Sequence, residues 1–361
     1  MPWLTHLGKD EEALAAIQKL AHDPVPSVRF LLACELWRLL ERTPELMWSL
    51  LDEISEKEGN SVVLQGITVS LWQLIPKAKD QSLRVIAKLL ARTEEESEDE
   101  QKPRSHLISM IVDYALLENN QWAEETLARW RSKPIDHADS IAMAGQRIIE
   151  YIIPDHIGTT LQRARDLLLL HLNAAADGLI ALQHQKEKLN SDEIQRTWKL
   201  LYGVIDNAVM RIYFASDVDP NSRERKEHPL DDEARVRFFR EALPILEKVL
   251  SFGKQQQTGM LLAPTAHHFM ELLNGILRYD PALVLRMAAE VVTSSRRFGY
   301  NLDLLAMQEA VKLVESILAD YRDKVQQEQS IKHLLELLDA FVEAGWPEAL
   351  NLVWRLDEIY R

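Results

Sequence analysis

Asp23-Pro24-Val25-Pro26-Ser27-Val28-Arg29 stands between two segments of helical apolar spacing, and its reading decides the fold. Upstream, Leu14, Ile17 and Leu20 recur at three-residue intervals from Glu11 to Ala21, which marks one face of a helix. Pro24 and Pro26 stop that helix, because proline lacks an N–H and clashes with the preceding turn. Ser27 is the expected N-cap of a second helix, Val28 to Leu40. The stretch is therefore the turn of a helical hairpin. Working outward, Thr43-Pro44-Glu45 combines a cap residue, a proline at the first helical position and an acid in the first turn, all favourable where N–H groups lack partners. The helix that follows carries Leu46, Leu50 and Ile54. Gly59-Asn60 ends it, and the next helix runs Val62 to Ile75.

An internal repeat emerges from this pass. Leu36-Trp37-Arg38-Leu39-Leu40 matches Leu71-Trp72-Gln73-Leu74-Ile75 at an offset of 35, and at the same offset Val28 falls on Val63. Periods in this range belong to stacked helix pairs, because one pair alone cannot bury its apolar face. With its Asp-Pro turn and its Val-Arg helix start, the segment from about residue 11 to 76 resembles the HEAT-repeat family. The resemblance implies an all-α chain, an α-solenoid of antiparallel helix pairs. It also implies a ladder between the turn Asp and the second-helix Arg of neighbouring repeats. Asp23 and Arg29 match those positions. Asn60 and Leu64 replace them in the second unit, so no continuous ladder is expected. Asp280-Pro281-Ala282-Leu283-Val284-Leu285-Arg286 is a weaker echo of the same turn.

Beyond residue 76 only helix length and rhythm continue the pattern. Helices are expected at Gln81 to Ala91, Pro103 to Leu117, Gln121 to Arg131 and Ala138 to Ile152. Between the first two lies Thr93 to Glu100, with six acids in eight residues, a solvated loop by self-repulsion. From Thr159 to Leu189 no proline intervenes, so one helix of about 45 Å is expected at 1.5 Å per residue. Ser191-Asp192-Glu193 starts another that reaches Ala215. This long central pair interrupts the solenoid. After the polar stretch Ser216 to Asp232, helices resume at Asp232 to Leu250 (with Pro244 kinking or splitting it), Pro264 to Arg278, Pro281 to Arg297, Leu302 to Tyr321, Ser330 to Ala344 and Pro347 to Tyr360. Three regions follow: repeats over 1–153, the long pair and polar loop over 154–232, and further repeats over 233–361.

Composition narrows the function classes. A formal charge of −14 disfavours nonspecific nucleic-acid binding and anionic membrane surfaces. Cys34 is the only cysteine, so no intrachain disulfide forms, which fits a reducing compartment. Met1-Pro2-Trp3-Leu4-Thr5-His6 lacks the charged and apolar regions of a secretory signal, and no apolar run reaches the ~18 residues of a membrane helix. A cytoplasmic, bacterial protein is expected.

The candidate chemistry is incomplete at each place it arises. His267 and Glu271 share a helix face with His268 beside them, but a zinc enzyme needs a third ligand and an open position, and the order is not that of a His-Glu-x-x-His site. No metal is assigned. Asp217, Asp219 and Asn221 begin like a calcium loop, which then fails at Ser222 and His228. Gly253 to Gly259 holds glycines and a lysine without phosphate-loop order. Cys34 sits in an apolar helix, where a cysteine is a small hydrophobe. No catalytic residue and no cofactor is expected.

The expectation is a non-enzymatic helical-repeat scaffold or adaptor for another protein. Its candidate contact residues are Trp122, Trp130 and Trp346 as aromatic anchors, with Arg235, Arg237 and Arg240. One alternative is a sensor or recognition region, or a partner, of a larger bacterial signalling or defence NTPase, from a loose likeness to the helical-repeat ends of such proteins. The other is a HEAT-like nucleic-acid binder using Arg163, Arg165, Arg223, Arg225, Lys226, Arg296 and Arg297 with the three arginines above. Interleaved acids argue against it.

Overall fold

The computed structural model describes residues 11–93, 101–154, 158–184, 191–218, 230–254, 263–297 and 304–343. Among them are fifteen α-helices and no strand. The chain forms two compact units, Met1–Ala123 and Glu124–Arg361. The first unit holds α1 (Glu11–Ala21), α2 (Pro26–Glu35), α3 (Pro44–Lys57), α4 (Ser61–Leu74), α5 (Lys79–Thr93) and α6 (Gln101–Glu118), and the boundary falls inside α7 (Gln121–Ser132). Each helix packs on the next but one. α1 meets α3 and α3 meets α5, while α2 meets α4 and α4 meets α6.

The second unit contains α8 (Ala138–Ile149), α9 (Thr159–His184), α10 (Ser191–Ala215), α11 (Asp232–Lys254), α12 (Ala263–Ile276), α13 (Pro281–Arg297), α14 (Leu304–Asp320) and α15 (Glu328–Glu343). The same alternation holds here. α8, α10, α12 and α14 pack in succession, and so do α9, α11, α13 and α15. The long pair α9 and α10, of 26 and 25 residues, occupies consecutive places in these two rows. It is therefore built into the alternation rather than set apart from it. Pro244 does not split α11, which runs unbroken to Lys254. Pro347 to Tyr360 lies outside the described residues.

Local chemistry explains where the first helices start. Val25, not Ser27, is the N-cap of α2, with Pro26 at the first helical position. The Asp23 carboxylate accepts the Val25 N–H at 2.8 Å, so an Asx-type turn occupies the place expected of a serine cap. Asn60 caps α4 as an asparagine should, its Oδ1 accepting from the N–H groups of Val62 and Val63 at 3.0 and 3.3 Å. In α6, Leu107, Ile108, Met110, Ile111, Val112, Tyr114, Ala115 and Leu116 are all buried, so most of its circumference is packed, while His106, Ser109 and Asp113 on the remaining side are half-buried.

The helix read as Val28 to Leu40 is α only to Glu35. Leu36–Leu39 forms a 3-10 turn. The cause lies on α4. The Ser70 hydroxyl donates to the Ala33 carbonyl at 2.5 Å and accepts the Trp37 N–H at 3.4 Å. It stands between the two groups that would close the next α-helical hydrogen bond, and an inserted side chain of this kind breaks the ladder. One turn earlier, Gly66 lets the helices approach. A Cβ there would lie 2.9 Å from the Phe30 carbonyl oxygen and 3.0 Å from the Ala33 Cβ.

Candidate functional site

In the first unit the turns before α2 and α4 are tied to each other. Arg29 donates to both Glu58 oxygens, at 2.7 and 2.9 Å, and to the Asp23 carbonyl at 2.7 Å. Glu58 also accepts the Asn60 N–H at 2.9 Å. Glu58 lies 35 residues after Asp23, so Arg29 pairs with the residue that stands at the offset of the sequence match, two residues before Asn60. Arg29 holds the Glu58 carboxyl below its ordinary range, chiefly through these hydrogen bonds. Arg92, from α5, donates to the Ser55 and Glu58 carbonyls. A cleft of about 550 Å³ opens beside these turns, edged by His22, Arg29, Glu53, Lys57 and Glu58. His22 donates from Nδ1 to the Gln18 carbonyl at 2.8 Å, and its Nε2 lies 3.1 Å from Glu53.

The helical side of the same unit has a different character. α4, SVVLQGITVSLWQL, contains no charged residue in its 14 positions, and it exposes Val62 (53%) and Val69 (39%) two turns apart. Leu31 of α2, on which α4 packs, is 48% exposed. Trp37 and Trp72, the matched pair of the repeat, are both half-buried, and Leu36, Leu71, Leu39 and Leu74 beside them are buried. These positions, matched at the 35-residue offset, thus share the same burial. Arg38 and Lys77 lie over the Trp37 ring at 4.7 and 5.5 Å. These exposed aliphatic residues are not among the aromatic anchors expected from sequence. The signal was there: fourteen uncharged residues in a chain that is 27% charged.

The expected contact residues fare unequally. Trp130 is fully buried and belongs to the core, so it reaches no surface. Trp122 is half-buried, and Trp346 lies outside the described residues. Arg235 is also buried. It reaches the Leu230 carbonyl and Asp232, both at 3.4 Å, and so ties down the start of α11. Arg237 and Arg240 are exposed on α11, and Arg240 edges a cleft of about 200 Å³ with Val236, Phe239 and Tyr279. Of the other basic residues, Arg163 lies 3.8 Å from Glu124, and Arg165 pairs with Glu241 at 2.8 Å. The side chains of Arg223, Arg225, Lys226, Arg296 and Arg297 lie outside the description.

Burial pushes the Cys34 thiol up, away from the thiolate a nucleophile needs. Asp217, with φ +53°, accepts the Leu230 N–H at 2.8 Å, a backbone brace. Its imagined calcium partners Asp219 and Asn221 lie outside the described residues, as do residues 255–259 of the glycine-rich stretch. His171, wholly buried in α9, donates from Nδ1 to the Leu167 carbonyl at 2.9 Å, while its Nε2 has no hydrogen-bond partner.

In the second unit α12 brings His267, His268 and Glu271 together. The Glu271 Oε2 lies 3.4 Å from His267 Nε2 and 3.3 Å from His268 Nδ1. At about 100° per residue, Glu271 falls between the two histidines around the helix. The two histidine side chains are about a fifth exposed and Glu271 a little over a quarter. Tyr213, near the end of α10, stacks at a tilt on His268 with centroids 4.8 Å apart. From α14, Glu309 accepts Asn274 at 2.8 Å and Lys312 at 2.5 Å, and Lys312 also feels the charge of Glu271.

Among the described residues no helix is long and apolar enough to cross a membrane. No protein family matches the chain, and no curated protein or solved structure matches it significantly.

Proposed function

We propose that this chain is a HEAT-like helical-repeat protein, a non-enzymatic scaffold that binds another protein through the uncharged face of α2 and α4. The observation that carries the reading is α4 itself, a helix without a charge that exposes Val62 and Val69 two turns apart, with Leu31 also exposed on α2, the helix it packs against. Apolar groups left in water at a regular spacing favour a partner that removes them from it, and burying the exposed half of one such side chain is worth about 1 kcal/mol. The alternation of helix contacts in both units supports the repeat reading, because stacked pairs leave one helix row free to line a binding surface.

The test uses the full chain as bait in extracts of its own host, with the captured proteins identified by mass spectrometry. Val62→Asp with Val69→Asp places two charges on the exposed stripe while leaving the buried faces of α4 intact. The expected result is a partner captured by the parent protein and lost with the double variant, at an unchanged melting temperature. Equal capture by both proteins would overturn the assignment of this face.

A further inference from the structure

His267, His268 and Glu271 make a poor hydrogen-bond network. Their two contacts, at 3.4 and 3.3 Å, are longer than the 2.7–3.2 Å of ordinary N–H···O bonds. Both converge on one oxygen, Glu271 Oε2.

The same distances suit a different purpose. Ligands about 2.0–2.1 Å from a tetrahedral zinc ion stand about 3.3–3.4 Å from one another. The two measured separations match two of the three edges that such ligands span. The three ligand atoms all lie within 4.8 Å of one another. The helix supplies the arrangement without help from elsewhere in the chain, because residues three and four apart share a face. The donor set, two imidazoles and one carboxylate, is one that zinc takes with a fourth position left open. Tyr213 packs on the His268 ring, which limits its rotation. Asn274 and Lys312 occupy Glu309, which leaves Glu271 turned toward the histidines.

We infer that His267 Nε2, His268 Nδ1 and Glu271 Oε2 form a three-ligand site on α12 for a zinc-type divalent ion, with solvent completing the tetrahedron. The site goes beyond the binding function and rests on none of the residues of α2 or α4.

The experiment takes the full chain, stripped by a chelator, and titrates it with zinc chloride alone by calorimetry. One ion per chain is expected. Glu271→Gln and His268→Gln each weaken binding by more than about a hundredfold, since losing mere outer-shell partners of a metal site costs 10–100-fold. Absence of stoichiometric zinc binding in the parent protein overturns the site, and so does binding that both variants retain undiminished. Cobalt provides a readout that does not depend on the variants folding. The parent protein loaded with Co²⁺ shows the intense visible bands of a tetrahedral complex, and the weak bands of an octahedral one overturn the geometry.

Discussion

At Ser70 a single hydroxyl sets the path of a neighbouring helix. It satisfies the Ala33 carbonyl and the Trp37 N–H, which are left without each other where α2 tightens into its 3-10 turn. Ser70→Ala removes the bridge while leaving both backbone groups buried, and the expected loss is about 1–3 kcal/mol in chemical denaturation. Gly66→Ala tests the same contact from the other side. Its new methyl meets backbone oxygen rather than a side chain that can swing away, so overpacking of about 1–3 kcal/mol is expected. His171 adds a pH dependence. Burial, with the nearby Arg131 charge, lowers its pKa to about 3. The unfolded chain protonates this histidine near 6.5 and the folded one does not, so stability is complete above that range and falls with pH between about 6.5 and 3. The slope from this one group is at most about 1.4 kcal/mol per pH unit. His171→Gln should flatten the difference in melting temperature between pH 7 and pH 5, and an unchanged pH dependence would count against the burial argument. None of these three residues could be singled out from sequence. A serine, a glycine and a histidine in apolar helices look alike until the facing helix is known.

At the scale of elements the sequence was more informative. α1, α10 and α13 begin and end where the apolar spacing and the breakers put them, because those signals act within a few residues. The turn between α1 and α2 was recognisable from its two prolines and its aspartate, but its partner was not. Arg29 and Glu58 are 29 residues apart, and nothing local to either announces the other. Their bidentate pair is largely shielded, with side chains 18% and 7% exposed, and Arg29 also holds the Asp23 carbonyl. A double-mutant cycle with Arg29→Met and Glu58→Gln should give a coupling of about 1–2 kcal/mol at neutral pH. Because the pair lowers the Glu58 pKa, its contribution is present above the ordinary carboxylate range and disappears as pH falls through the depressed value. A coupling near zero at pH 7 would make the pair a by-product of the turn rather than its fastening. The α12 cluster was partly legible in the same sense. The i, i+4 spacing of His267 and Glu271 could be read directly, while the role of Tyr213 against His268 depends on α10 packing beside α12.

For the molecule as a whole, the rule that each helix packs on the next but one predicts how a local defect spreads. In such an array each helix draws its stability from intrinsic propensity and from its immediate neighbours, so damage is felt in order of contact. Gly66→Ala strains the interface of α4 with α2, and α4 in turn supports α6. Amide hydrogen exchange of the variant should show protection lost first in α2 and α4, and next in α1 and α6, which pack directly on them. A uniform loss of protection through the first unit would mean that Met1–Ala123 opens as one cooperative body. The graded pattern would show instead that the 35-residue repeat glimpsed at Trp37 and Trp72 is an energetic unit as well as a pattern of residues.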